Sequence, residues 1–113
     1  MARAKWKCGV CSFIWDGDEP PDTCPRCGAP KESFTRVPEE KVKLIERSRL
    51  SNTLHLRLFA LMEEVVRVAE AGIEDNLDPL CLSLFTKARD DARAIQQMAM
   101  AEIEVHVGKG KWG

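Results

Sequence analysis

Cys8-Gly9-Val10-Cys11, followed after twelve residues by Cys24-Pro25-Arg26-Cys27, decides how the first third of this chain folds. A Cys-x-x-Cys turn places two sulfurs on one side of a tight knuckle. Two knuckles facing each other supply the four corners of a tetrahedron, a coordination that zinc and iron both accept. The segment around them is too short to build an adequate apolar core, so a bound metal must supply much of its folding free energy. Disulfides are the competing reading. The opening Met1-Ala2-Arg3-Ala4-Lys5-Trp6 has no apolar core of a signal peptide, so a cytoplasmic location is expected. In that compartment five cysteines point to metal or redox use instead.

Punctuation residues set the boundary of this unit. Five of the six prolines (Pro20, Pro21, Pro25, Pro30 and Pro38) precede residue 39, as do four of the five cysteines. From Glu39 to Val107 there is one proline, Pro79, and one glycine, Gly72. Residues 1–37 therefore read as a turn-rich metal-binding domain and residues 38–113 as an α-helical hairpin. The aromatics Trp6, Phe13, Trp15 and Phe34 are most of the apolar bulk of the first domain and are expected to pack its core beside the metal.

The residues Trp6-Lys7-Cys8-x-x-Cys11-x-Phe13-Ile14-Trp15-Asp16-Gly17-Asp18-Glu19-Pro20-Pro21-Asp22-x-Cys24-Pro25-x-Cys27-Gly28-Ala29-Pro30-Lys31-x-x-Phe34 resemble the short rubredoxin-like domain of rubrerythrins. The likeness spans the cysteines, the loop between them, the Asp-Gly-Asp-Glu-Pro-Pro turn and the aromatic positions. It departs from the family at Ser12, where a glycine usually follows the second cysteine, whereas Gly28 follows Cys27 as the pattern requires. Glycine tolerates positive φ and serine tolerates it less well, so the first knuckle is expected to be strained or reshaped. Spacing alone leaves iron and zinc open. The resemblance implies one iron per chain held by Cys8, Cys11, Cys24 and Cys27, with zinc as the alternative. It also implies that Cys11 and Cys27 lie nearer the surface, and that the work of the site is one-electron transfer with a redox partner protein.

In the second region, Pro38 with Glu39 and Glu40 suits a helix start, and Gly72 suits its stop, which predicts a helix over residues 38–71. Asp78 caps a second helix with Pro79 at its first position, expected over residues 79–107. Two long helices joined by a short turn form an antiparallel hairpin. The remaining residues, 108–113, read as a loose tail with Trp112 free to dock.

Leu50, Leu54, Leu58, Leu61, Val65 and Val68 recur at steps of three and four, and Phe59, Met62, Val66 and Ile73 widen that stripe to about half the helix circumference. One partner helix covers only a narrow seam. The expectation is that Leu54, Leu58, Leu61 and Val65 meet Ala88, Ala92, Ile95 and Ala99, leaving Phe59, Met62, Val66 and Phe85 to a second copy. The fold class is then a small α+β protein: a rubredoxin-like knuckle domain followed by a helical hairpin that completes a four-helix bundle as a homodimer.

Rubrerythrins carry a di-iron bundle built on Glu-x-x-His motifs, and this chain has none. Glu102, His106 and His55 do fall on the apolar sides of their helices and form a candidate second metal site, as in a rubrerythrin-like peroxidase subunit. The plainer reading pairs Glu102 with Arg47 and leaves His106 to the helix dipole. Cys81, in the first turn of the second helix, reads as a small packing residue, with a dipole-activated thiol as the alternative. A net charge of -1 gives no basic excess for nucleic acid, and no apolar run is long enough for a membrane. An electron carrier is therefore the leading reading, ahead of a zinc-stabilised interaction protein; a catalytic role would be that of an accessory subunit.

Overall fold

The computed structural model describes residues 3–113. The chain divides into two compact units, residues up to Arg49 together with Lys109–Gly113, and Leu50–Gly108.

In the first unit three short strands form an antiparallel sheet. They are β1 (Lys5–Cys8), β2 (Ile14–Asp16) and β3 (Phe34–Arg36), in the order β2-β1-β3. Trp6 stands opposite Trp15 on one side and Arg36 on the other, and Cys8 stands opposite Phe34. Such short strands form because the chain between them is spent on turns: the first knuckle joins β1 to β2, and the second lies in the long connection to β3. A single 3-10 turn, Lys31–Ser33, precedes β3, and Gly9 N–H donates to Ser33 O at 2.8 Å to tie the knuckle to that turn.

Two small cores hold this unit. Cys8, Cys24, Ala29 and Phe34 are buried, with Trp6, Cys11, Phe13 and Trp15 packed against them. Val37, Val42 and Ile45 form the other, with Ile14 against it. Of the four aromatics assigned to the core, Phe34 is buried and the other three are half-buried. The tail is docked and not loose. Gly113 packs so closely on Ile14 that a Cβ there would stand 2.8 Å from Ile14 Cγ1, and Arg49 Nε donates to Gly113 O at 2.7 Å.

The helices are α1 (Glu39–Asp75) and α2 (Pro79–Gly108). The Pro38 carbonyl accepts from Lys41 and Val42 N–H, so Pro38 sits at the cap and the acidic pair Glu39 and Glu40 fills the first turn. α1 does not stop at Gly72. It continues to Asp75 and ends where Asn76 turns left-handed, at φ 47°. Asp78 caps α2 as expected, its Oδ1 accepting from Cys81 N–H at 2.8 Å.

In the second unit the two helices pack antiparallel, since Gln96 reaches back to Phe59 O and Glu63, and Arg93 to Glu70. The buried seam is Asn52, Val66 and Ala69 against Ala92, Gln96 and Ala99, with Phe59 and Met62 half-buried. This reverses the expected division of the stripe. Leu54, Leu58, Leu61 and Val65 are the exposed ones. Small residues line this seam: Ala69 on α1 and Ala92 and Ala99 on α2 are buried, and Gly72 on α1 receives the Phe85 ring of α2. Among the described residues no helix is long and apolar enough to cross a membrane.

Candidate metal centre

Each knuckle is a loop closed by the same pair of main-chain bonds. In the first, Ser12 N–H donates to Cys8 O at 2.9 Å and Cys8 N–H to Phe13 O at 2.8 Å. In the second, Gly28 N–H donates to Cys24 O at 2.9 Å and Cys24 N–H to Ala29 O at 2.8 Å. This loop requires a left-handed residue after its second cysteine. Gly28 adopts φ 79° without cost, and Ser12 is held at φ 71°, so the first knuckle keeps the shape of the second and takes the strain in its serine.

The two loops bring four sulfurs together. Cys8 Sγ lies 3.7 Å from Cys27 Sγ, Cys11 Sγ lies 3.6 Å from Cys24 Sγ, and all four are within 4.8 Å of one another. Thiolates bound at ~2.3 Å around a tetrahedral ion stand about 3.8 Å apart, so the cluster fits a single zinc or iron ion. The cysteines form a rubredoxin-like metal site. Cys8 and Cys24 are buried, Cys11 is half-buried, and Cys27 is exposed.

Main-chain N–H groups already favour thiolate at the buried positions. Those of Cys11 and Val10 hold the Cys8 thiol below its ordinary value against the effect of burial. Burial pushes Cys24 up, but the N–H groups of Cys27 and Arg26, with the Cys11 and Cys27 thiols, bring it down to about 7. Cys27 has the N–H of Ala29 in its favour. Burial and the thiols of Cys11, Cys24 and Cys8 outweigh it and push Cys27 up to about 12. Four crowded sulfurs do not ionise together unaided. A cation at their centre cancels the repulsion, which is the chemistry this donor set calls for.

The sequence reading missed an ion network beside the sheet. Lys5 is fully buried and its Nζ donates to Asp16 Oδ1 at 3.0 Å and to Glu46 Oε1. Arg49 bonds the same two carboxylates. Arg49 is the main cause of an Asp16 carboxyl held at about 2; burial opposes it and Lys5 assists. The available signal was register: in the β1–β2 hairpin Lys5 stands directly opposite Asp16.

On the helices, His55, Glu102 and His106 converge, with one ligand atom from each within 4.8 Å of the others. Arg47 is exposed, and Glu102 stands 3.9 Å from His106. Cys81 is not an activated thiol. A hydrogen bond with Asp78, then burial and the Asp78 and Asp75 charges, push it up. Asp91 pairs with Lys87 at 2.9 Å on the exposed face.

Residues 6–35 match the family of rubredoxin-like domains of rubrerythrins. A reverse rubrerythrin-1 of Clostridium acetobutylicum is 47% identical over 36 residues, covering 32% of this chain and 20% of the relative. A rubrerythrin of Clostridium perfringens is 55% identical over 29 residues, covering 26% of this chain and 15% of the relative. The chain thus matches a fifth or less of the length of these curated relatives. No solved structure matches it.

Proposed function

We propose that this protein carries single electrons through one iron ion bound by Cys8, Cys11, Cys24 and Cys27. The carrying observation is the sulfur cluster itself, spaced for one tetrahedral ion and surrounded by main-chain N–H groups that favour thiolate. Iron in such a cage supplies a one-electron couple, which zinc lacks. The chain's own contribution is a stiff frame. Each loop is closed by its own pair of main-chain bonds, and Gly9 N–H ties the first loop to the turn before β3, which fixes the backbone that carries the sulfurs. The exposed Cys27 and half-buried Cys11 offer a redox partner protein its closest approach. Cysteines outside disulfides fit a reducing compartment, and we place the protein in the cytoplasm.

Protein purified without oxygen or added zinc from iron-replete cells tests this reading. The expected result is one iron per chain and a red oxidised form that bleaches on reduction. A colourless protein with full zinc would overturn it and leave a zinc-stabilised interaction protein.

The helical hairpin supports a second proposal, a homodimer. Leu54, Leu58, Leu61 and Val65 on α1 and Leu84 on α2 are exposed, and Leu61, Val65 and Leu84 border an apolar groove that Val68 and Ala88 extend. Two antiparallel helices are half of a four-helix bundle, and a second copy supplies the other half with the same surface.

A further inference from the structure

We propose that His55, Glu102 and His106 form a second metal site, for a single divalent transition-metal ion. α2 presents Glu102 and His106 one turn apart on one face, and α1 brings His55 against them. The His55 and His106 rings meet edge to face with centroids 5.5 Å apart. All three donor atoms lie within 4.8 Å of one another.

The arrangement around His106 supplies the second observation. Its Nδ1 is bonded to Asn52 Oδ1, and a carbonyl oxygen can only accept, so Nδ1 carries the proton. In the neutral ring the lone pair is then on Nε2, the atom directed at Glu102. Fixing a ring in this way by a bond to its other nitrogen is the usual outer support of a metal-bound histidine. The His106 side chain is 12% exposed, which keeps that geometry from water.

His106 Nε2 stands 3.9 Å from Glu102 Oε2. That is too long for a hydrogen bond and near the separation of two atoms that share an ion. Binding at ~2.0–2.2 Å draws such atoms to about 3–3.5 Å. Glu102, with its side chain 57% exposed, has room for that movement. Two neutral imidazoles and one carboxylate suit zinc or ferrous iron, and three protein ligands leave coordination positions for water or a small ligand. The spacing differs from the paired Glu-x-x-His pattern of di-iron bundles, and one chain supplies all three ligands.

Zinc(II) titration of the iron-loaded protein tests this site, with zinc and iron counted after desalting. The expected result is one added zinc per chain with the iron retained, and zinc-dependent shifts of the two histidine ring signals by NMR. His55→Ala, Glu102→Gln and His106→Ala are each expected to weaken zinc binding at least ten-fold, whereas Cys81→Ala leaves it unchanged. Circular dichroism of each variant checks that the helices persist. The absence of a second equivalent in the intact protein overturns the proposal. So does a second equivalent that survives the His55→Ala/His106→Ala double variant, or one that leaves the histidine signals unmoved. Should the cysteine site hold zinc instead of iron, the count rises from one zinc to two, so the two readings fail separately.

Discussion

The ring of Phe85 on α2 lies against the backbone of Gly72 on α1, where a Cβ would fall well inside van der Waals contact with Cγ, Cδ2 and Cε2. Gly72 thus serves packing between helices and not helix termination. The helix passes through it, with Asn76 N–H still bonded to Gly72 O at 3.1 Å.

Gly72→Ala is therefore expected to destabilise the protein. Alanine adds up to ~1 kcal/mol of helix propensity. Forcing a methyl against an aromatic ring in a packed seam costs about 1–3 kcal/mol and displaces Phe85. A net loss of on the order of 1–2 kcal/mol, read from denaturant unfolding, is the expected outcome. A stabilised Gly72→Ala would show that the ring moves aside freely.

Ser12 and Gly28 occupy the same place in the two knuckles, at φ 71° and φ 79°. Ser12→Gly is expected to stabilise the metal-bound protein by ~0.5–1 kcal/mol and to slow metal release to a chelator. Gly28→Ala is expected to destabilise by a similar amount, although nothing lies within 4 Å of the added Cβ, because the strain is in the backbone. Equal release rates for Ser12→Gly and the parent would refute the strain.

Acid should weaken the first unit through Asp16. Its folded value, about 2, lies below its usual 3.8. The stability it contributes is fully present above its unfolded value and is lost as pH falls from about 5 towards 2. At its partly exposed position the contribution is on the order of 1–2 kcal/mol after screening. Asp16→Asn should remove that pH dependence and leave Lys5 buried with Glu46 as its remaining carboxylate. Parallel acid-unfolding curves for Asp16→Asn and the parent would exclude the network as the cause.

The dimer is tested on the residues that are exposed. Leu58→Glu with Leu61→Glu should yield soluble monomers that retain metal in the cysteine site, measured by sedimentation. Each large apolar side chain buried at such an interface is worth about 1.5–3 kcal/mol before the cost of association. Phe59→Glu, in the seam between helices, should unfold the hairpin instead. A parent protein that remains monomeric at high concentration would eliminate the bundle.

The four-cysteine cluster was legible in the sequence because ligand spacing is a property of a few consecutive residues. Paired Cys-x-x-Cys turns set their knuckles within a few residues, and the glycine after Cys27 marks the left-handed angle that the matching Ser12 must also adopt. The Asp78 cap was legible for the same reason: the bond to Cys81 N–H spans three residues. What required the tertiary structure were choices between equivalent local options. A stripe covering half of α1 states that the helix is buried, not which half: the structure buries Val66, half-buries Phe59 and Met62, and leaves Leu54, Leu58 and Leu61 out, in a seam that holds the small residues Ala92 and Ala99 of α2. Gly72 looked like a stop until Phe85 lay across it. Nothing local marks Lys5 as buried; register sets Asp16 beside it and the start of α1 adds Glu46. Glu102, His106 and His55 could be named as apolar-side residues from the sequence, but only the packing of the helices brings their ligand atoms within 4.8 Å of one another. Local geometry is written in neighbouring residues, whereas the rotation of one helix against another is a balance of many weak contacts that exists only once both are packed.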